Sequence, residues 1–198
     1  MYLSLFQSYW ITLLLAAPTA GLLVRIFVIQ HDCGHRSFFR SPRANDLLGS
    51  LCGILTLTPY HHWRRTHARH HVTSGNLSHR GHGDVGVLTI EEYLARSRWG
   101  RLRYRLYRHP LSMFFLGATF QFVVVQRFTY GTPRSWRRER RSVYITNLGI
   151  LAVGGVVGWT VGLTAFFLVH VPIMLIAAAV GSWLFYVQHQ YEDAYWEP

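Results

Sequence analysis

Residues 142–191, SVYITNLGILAVGGVVGWTVGLTAFFLVHVPIMLIAAAVGSWLFYVQHQY, run for fifty positions without an Asp, Glu, Lys or Arg. A helix needs about 20 apolar residues, at roughly 1.5 Å rise each, to cross the hydrocarbon of a bilayer. The stretch therefore holds two spans. Its soft point is the glycine-rich segment Gly154 to Gly162, which places the predicted helices near 142–161 and 164–188 with a tight turn between them. Working outward, no charged side chain stands between Met1 and Arg25, and this second stretch predicts one more span, ending near residue 30. It lacks the basic n-region of a signal peptide, and its apolar run is too long for one. Two shorter apolar runs, Leu47 to Trp63 and Leu111 to Gln126, are about 25 Å each if helical and read as a re-entrant hairpin and an interfacial segment.

The charge distribution sets the expected orientation. All 20 basic residues are Arg, and 19 of them fall between Arg36 and Arg141. Arginine-rich loops beside spans stay in the cytoplasm, so the middle of the chain is expected there, with the last two helices forming an out-and-back pair. The Arg-rich segments Arg96 to Arg108 and Arg134 to Arg141 border apolar runs and carry Tyr104, Tyr107 and Trp136. That is the composition of helices lying on anionic lipid rather than of a nucleic-acid surface. With 50% hydrophobic against 15% charged residues, and with seven Trp, eleven Tyr and twelve Phe, the chain is neither disordered nor an ordinary soluble domain. Two cysteines, Cys33 and Cys52, exclude a disulfide scaffold. Without an internal repeat or a linker, residues 1–198 read as one all-α, multi-pass membrane domain.

The chemistry lies in the histidines. Of the twelve, five fall within His61 to His71, and two more make His31-Asp32-Cys33-Gly34-His35. At 100° per residue, His31 and His35 lie about 40° apart on a helix, and His67, His70 and His71 span about 100°. Each set points imidazoles to one side, following the logic by which an i, i+4 pair chelates a metal. Protonated imidazoles this close repel one another and need a compensating partner. An imidazole-rich, thiolate-poor site suits Zn, Cu, Fe or Ni, and ligand type alone does not choose among them. His61, His62, His79, His82 and His109 read as structural or solvent-facing, and His170 as a satisfied buried polar group. His189, at the end of the last helix, is at the same depth as the two clusters and is a candidate sixth ligand.

These residues carry a resemblance. HDCGH after an apolar helix, then Thr58-Pro59-Tyr60, then Trp63-Arg64 leading into HARHH at 67–71, resembles the membrane fatty acid desaturase family, most closely its acyl-lipid, delta-12/omega-3 branch. The likeness continues through Ser74-Gly75-Asn76-Leu77, Gly83-Asp84, Leu88 to Tyr93, Tyr104 to Arg108, Thr146-Asn147-Leu148 and FYVQHQYED at 185–193. The resemblance implies an integral membrane oxidoreductase that holds two iron ions. It would use O2 and electrons from a ferredoxin or a cytochrome to place a double bond in the acyl chain of a membrane lipid. It implies His31, His35, His67, His70, His71 and His189 as iron ligands, with Asp32, Asp84, Glu192 and Asp193 as candidates to orient their nitrogens. Cys33 is then packing, not a ligand.

The family pattern also has a third box, a second H-x-x-H-H lying after a further hydrophobic stretch, and no such motif follows HARHH in this sequence. The expectation is therefore a chain incomplete at its C-terminus and also at its N-terminus, binding iron weakly or at one site and lacking desaturase activity alone. Two other readings compete. One is a hydroxylase or ketolase of the same histidine-box class, which product analysis separates. The other is a non-catalytic metal-binding membrane protein or metal transporter, which would need ionisable residues lining a mid-membrane path.

Overall fold

The computed structural model describes residues 1–80 and 85–189, and every regular element among them is a helix. In chain order these are α1 (Tyr9–Gly34), α2 (Pro42–Leu55), α3 (Tyr60–Thr73), α4 (Ile90–Leu94), α5 (Arg98–Arg108), α6 (Ala118–Val123), α7 (Arg137–Val161) and α8 (Leu163–His189). The charge-free stretches have become α1, α7 and α8, which are long and apolar enough to cross a membrane. The turn between α7 and α8 falls at Gly162, whose φ is 86°.

Two boundaries differ from expectation. α1 continues to Gly34, about one turn beyond the predicted end near residue 30. Nothing in Gln30 to Cys33 breaks a helix, and the carbonyls left open at its end find donors. Tyr60 Oη–H donates to the Cys33 carbonyl at 2.8 Å, and Arg64 Nε–H donates to that of Gly34 at 3.0 Å. The chain then leaves the helix at Arg36, in the left-handed region with φ 59°. α7 begins at Arg137, before the apolar stretch, because a charge-free run measures the span and not the helix that contains it.

The run Leu47 to Trp63 is a helical hairpin, formed by the end of α2, a turn at Thr56–Pro59 and the start of α3. Ser41 caps α2 by accepting the Ala44 N–H, with Pro42 in its first turn. The hairpin closes around Tyr60, which is fully buried. A Cβ at position 49 would lie 2.3 Å from the Tyr60 ring, so Gly49 is what admits the ring against α2. The run Leu111 to Gln126 forms a π-helical turn at Leu111–Gly117, then α6, then a 3-10 turn.

α1 meets α8 through small residues. Ala16 and Ala20 are fully buried against Val169 and Ile173, and Met1, Tyr2 and Leu5 close one end. Small residues let helix backbones approach where lipid leaves no hydrophobic drive for association. Outward, the three long helices expose large apolar chains such as Leu14, Leu22, Leu151 and Trp159, the last 90% exposed. Such a surface, on helices long and apolar enough to cross a membrane, fits membrane association. At the other end of the bundle the ties are polar. Arg127 donates to Asn147 Oδ1 at 2.8 Å and to the Leu57 carbonyl, and Asn147 Nδ2 returns a bond to the Arg127 carbonyl at 2.8 Å. Burial lowers the Arg127 pKa to about 10, which still leaves the guanidinium charged at neutral pH. α5 lies beside the end of α8, where Arg108 donates to Tyr186 Oη at 3.3 Å, and exposes Trp99, Leu102 and Leu106.

Candidate metal centre

Four imidazoles converge where the end of α1 packs on α3. His31 is in the last turn of α1 and His35 caps it, while His67 and His71 are one turn apart on α3, so each i, i+4 pair shares a face. His35 Nε2 is 3.2 Å from His31 Nε2 and 3.1 Å from His67 Nε2, and His67 Nε2 is 3.0 Å from His71 Nε2. The ligand atoms of all four lie within 4.8 Å of one another.

Hydrogen bonds among the rings do not satisfy this arrangement. An imidazole nitrogen offers one proton or one lone pair along one direction, yet Nε2 of His35 and of His67 each face two neighbours. A single cation among the four nitrogens answers all of them at once. Nitrogens about 2.0–2.1 Å from a shared ion sit roughly 3–4 Å apart. The quartet therefore fits a bound transition metal.

The electrostatics keep the lone pairs available. Burial, reinforced by His31, His71, His35 and His70, holds the His67 pKa down to about 3. Burial also lowers His35, with His31 and His71 adding to it and Asp32 opposing, and lowers His71, helped by His70, His31 and His189. Asp32 Oδ1 is 3.4 Å from His31 Nδ1. The Trp63 ring backs His67, stacked at 4.5 Å between centroids and 16° between planes. A Cβ at position 34 would come within 2.8 Å of that indole, so the glycine of HDCGH is what lets Trp63 lie against α1.

His70 does not join the quartet. The 100° arc expected for His67, His70 and His71 places His70 and His71 at its opposite edges, and they diverge accordingly. His70 is buried and faces α8, its Nε2 2.8 Å from Nε2 of His189. His189 Nδ1 is 2.8 Å from the Phe185 carbonyl. A carbonyl only accepts, so Nδ1 is the donor there and Nε2 is the atom turned toward His70. The two groups adjoin, with the His67 and His70 ring centroids 6.0 Å apart. Of the other predicted residues, Asp84, Glu192 and Asp193, together with His82, lie outside the described residues.

With that geometry in place, the comparisons with known proteins are informative. The profile of the family described as fatty acid desaturase matches residues 7–198. The chain belongs to the fatty acid desaturase family. It is 50% identical over 196 residues to a fatty acid desaturase of Bacillus subtilis (strain 168), covering 99% of this chain and 55% of that protein. It is 35% identical over 92 residues to an sn-1 oleoyl-lipid 12-desaturase of Synechocystis sp., covering 46% of this chain and 26% of that one. Over 109 residues it is 38% identical to an acyl-lipid omega-3 desaturase (cytochrome b5), endoplasmic reticulum, of Arabidopsis thaliana, 55% and 26% of the two chains. The chain thus spans about half the length of the Bacillus relative. No solved structure matches it significantly.

The remaining histidines among the described residues of this desaturase-family chain have structural partners or face solvent. The backbone N–H of His61 donates to Ser142 Oγ at 3.1 Å while its ring packs edge-on against Tyr60, and His62 Nε2 is 3.1 Å from Thr132 Oγ1. Burial lowers the pKa of both. His109 Nδ1 accepts the Leu111 N–H at 3.3 Å, and His79 is exposed. His170 Nδ1 is 3.0 Å from the Phe166 carbonyl and its ring stacks on Phe166. Cys33 and Cys52 are both buried and free. Sequence reasoning missed Asp46, which binds side chains from two other helices just behind the quartet. Its partners stand 18 and 92 positions away, so no local spacing could reveal it.

Proposed function

We propose that the chain carries the metal-binding centre of an acyl-lipid desaturase, a membrane oxidoreductase that uses O2 to introduce a double bond into an acyl chain. The observation that carries this reading is the convergence of four imidazoles from two helices within 4.8 Å, in a chain of the desaturase family. His31, His35, His67 and His71 would hold one iron, and His70 with His189 would contribute to a second. Residues 1–198 then form a single multi-pass membrane domain, with the imidazoles on the cytoplasmic side, where the arginines concentrate.

Iron supplies, when bound, an oxidant strong enough to break an unactivated C–H bond, which no acid or base side chain can do. The chain's own residues do the rest. The lowered pKa values of His67, His35 and His71 keep these nitrogens unprotonated near neutral pH and available as donors. Asp32 and the Phe185 carbonyl face the distal nitrogens of His31 and His189 and orient those rings. An all-imidazole set resists oxidation better than thiolates do, and both cysteines are buried and not among the converging ligand atoms. Placing the centre at the polar end of apolar spans lets a lipid-borne acyl chain approach from one side and a ferredoxin or cytochrome donor from the other.

The test is the metal content of the chain purified in detergent under anaerobic conditions with Fe(II). Retained iron that falls on replacing His67 supports the reading; a chain that retains none overturns it. Reaction class is read by gas chromatography of the lipids made with the protein and an electron donor. A new double bond supports desaturation, and an alcohol or ketone moves the chain to the hydroxylase or ketolase class.

A further inference from the structure

Asp46 lies on α2 and contacts no imidazole of the quartet, yet its carboxylate gathers the elements that hold the quartet together. Oδ1 accepts from Arg64 NH1 at 3.2 Å and lies 3.3 Å from Tyr60 Oη, and Oδ2 accepts from Arg138 NH2 at 2.9 Å. The Asp46 side chain is only 19% exposed and Arg64 is 25% exposed, so the contact between them is partly shielded from water, whereas Arg138 is 60% exposed. The two α3 partners have a second grip. Arg64 Nε–H also donates to the Gly34 carbonyl, and the Tyr60 hydroxyl donates to the Cys33 carbonyl.

Those two carbonyls belong to the residues between His31 and His35. Tyr60 and Arg64 stand on the same helix as His67 and His71, seven and three residues before His67. One carboxylate thus holds Arg64 directly and shares the Tyr60 hydroxyl proton with the Cys33 carbonyl, so that both side chains clamp the last turn of α1 to α3, and it ties them to α7 through Arg138. The clamp sits between the two histidine pairs whose separation decides whether four nitrogens can reach one ion. The guanidinium of Arg64 also places positive charge at the negative end of the α1 dipole.

We propose that Asp46 is a positioning residue for the imidazole quartet: by holding Arg64 and Tyr60 on the Cys33 and Gly34 carbonyls, it sets the distance between the α1 pair and the α3 pair. This rests on the metal reading of the quartet given above. A carboxylate that only stabilised the fold would affect unfolding and leave the coordination of a bound ion unaltered. A positioning carboxylate alters affinity and coordination in a chain that remains folded.

The experiment uses Co(II) as the probe, titrated into the purified chain in detergent, with the visible d–d band reporting affinity and coordination together. Asp46→Asn keeps size and one acceptor but removes the charge. It is expected to weaken Co(II) binding about 10- to 100-fold and to change the band, while the apo chain unfolds close to the wild-type temperature. Asp46→Glu, which restores the charge, recovers most of the affinity. Arg64→Lys keeps the charge on α3 but cannot span Asp46 and Gly34 together, and is expected to weaken binding similarly. It carries the test if the Asp46 variants fail to fold. A wild-type chain that binds no Co(II) overturns the metal reading itself. Wild-type affinity and an unchanged band in folded Asp46→Asn or Arg64→Lys overturn the positioning role and leave the metal reading standing.

Discussion

The imidazole quartet and the His70–His189 pair share α3 but are built differently. The quartet takes two i, i+4 residues from each of two helices, and those helices are clamped at that level by Tyr60 and Arg64. The pair joins α3 to α8 through one imidazole each, with the His189 ring stacked on Phe185 at 4.2 Å. Four convergent nitrogens fill the coordination that a tetrahedral ion uses, whereas two leave half of it to other donors. Proximity of imidazoles is therefore not what distinguishes a strong site. The number of lone pairs held to one point by rigid neighbours is.

The largest effect should come from removing a member of each group. His67 is central to the quartet, its Nε2 facing both His35 and His71. His67→Ala is expected to lower Co(II) or Fe(II) affinity at the tight site by on the order of a hundredfold or more, exceeding the loss typical of residues that only orient a ligand. His189→Ala should leave that tight site nearly intact. Titration followed by metal analysis reads both, and equal losses in the two variants would dissolve the distinction between quartet and pair.

A smaller effect tests the neighbours. In Gly34→Ala the new Cβ would stand 2.8 Å from the Trp63 indole, the ring stacked on His67. Overpacking of this kind costs about 1–3 kcal/mol. Thermal unfolding should show that loss, and the tight site should weaken several-fold as His67 shifts with its backing ring. Unaltered metal affinity in a destabilised chain would mean that Trp63 packs without positioning.

The sequence made the quartet's two halves legible because i, i+4 spacing on a helix is a local property. HDCGH and HARHH each announce a face, and the charge-free stretches announce α1, α7 and α8. Illegible were the partitions that depend on distant contacts. Helix geometry turns His70 away from His71, but the imidazole it meets, His189, stands 119 positions on, on α8. Asp46 joins partners on α3 and α7 and shows nothing in its own surroundings in the chain. The end of α1 shows the same dependence on distant residues: the span ends near residue 30, and the donors that meet the last carbonyls of the helix belong to α3.

The apolar half of the bundle offers a contrast with the whole imidazole region. Ala16 is fully buried against α8, where Val169 and Ile173 close the contact. Ala16→Leu should overpack the interface and cost about 1–3 kcal/mol in thermal unfolding. Because the quartet's spacing is fixed by Asp46, Tyr60 and Arg64 at the other end of α1, its Co(II) affinity should remain within a factor of two or so, the residual coupling expected between distant sites. A tenfold loss would show that α1 transmits the strain along its length.

The smallest effect belongs to a polar cluster outside both groups. Arg80 grips Glu92 with two nitrogens, at 2.7 and 2.6 Å, and Glu92 also accepts the Thr89 N–H at the start of α4. The hydrogen bonds from Arg80 and Thr89 lower the Glu92 pKa to about 2, against an ordinary 4.5. The sign follows from linkage. The folded carboxyl holds its proton less tightly than the unfolded one, so its stabilising contribution is complete above about pH 4.5 and declines as pH falls toward 2. The pair is solvent-exposed, so salt should screen it and its effect on unfolding should be slight. The measurement is the carboxyl chemical shift of Glu92 across that window, at low and at high salt. A midpoint well below 4 that rises with salt fits a charge-assisted pair at a helix start. A midpoint near 4.5 would mean that Arg80 does not hold Glu92 in solution.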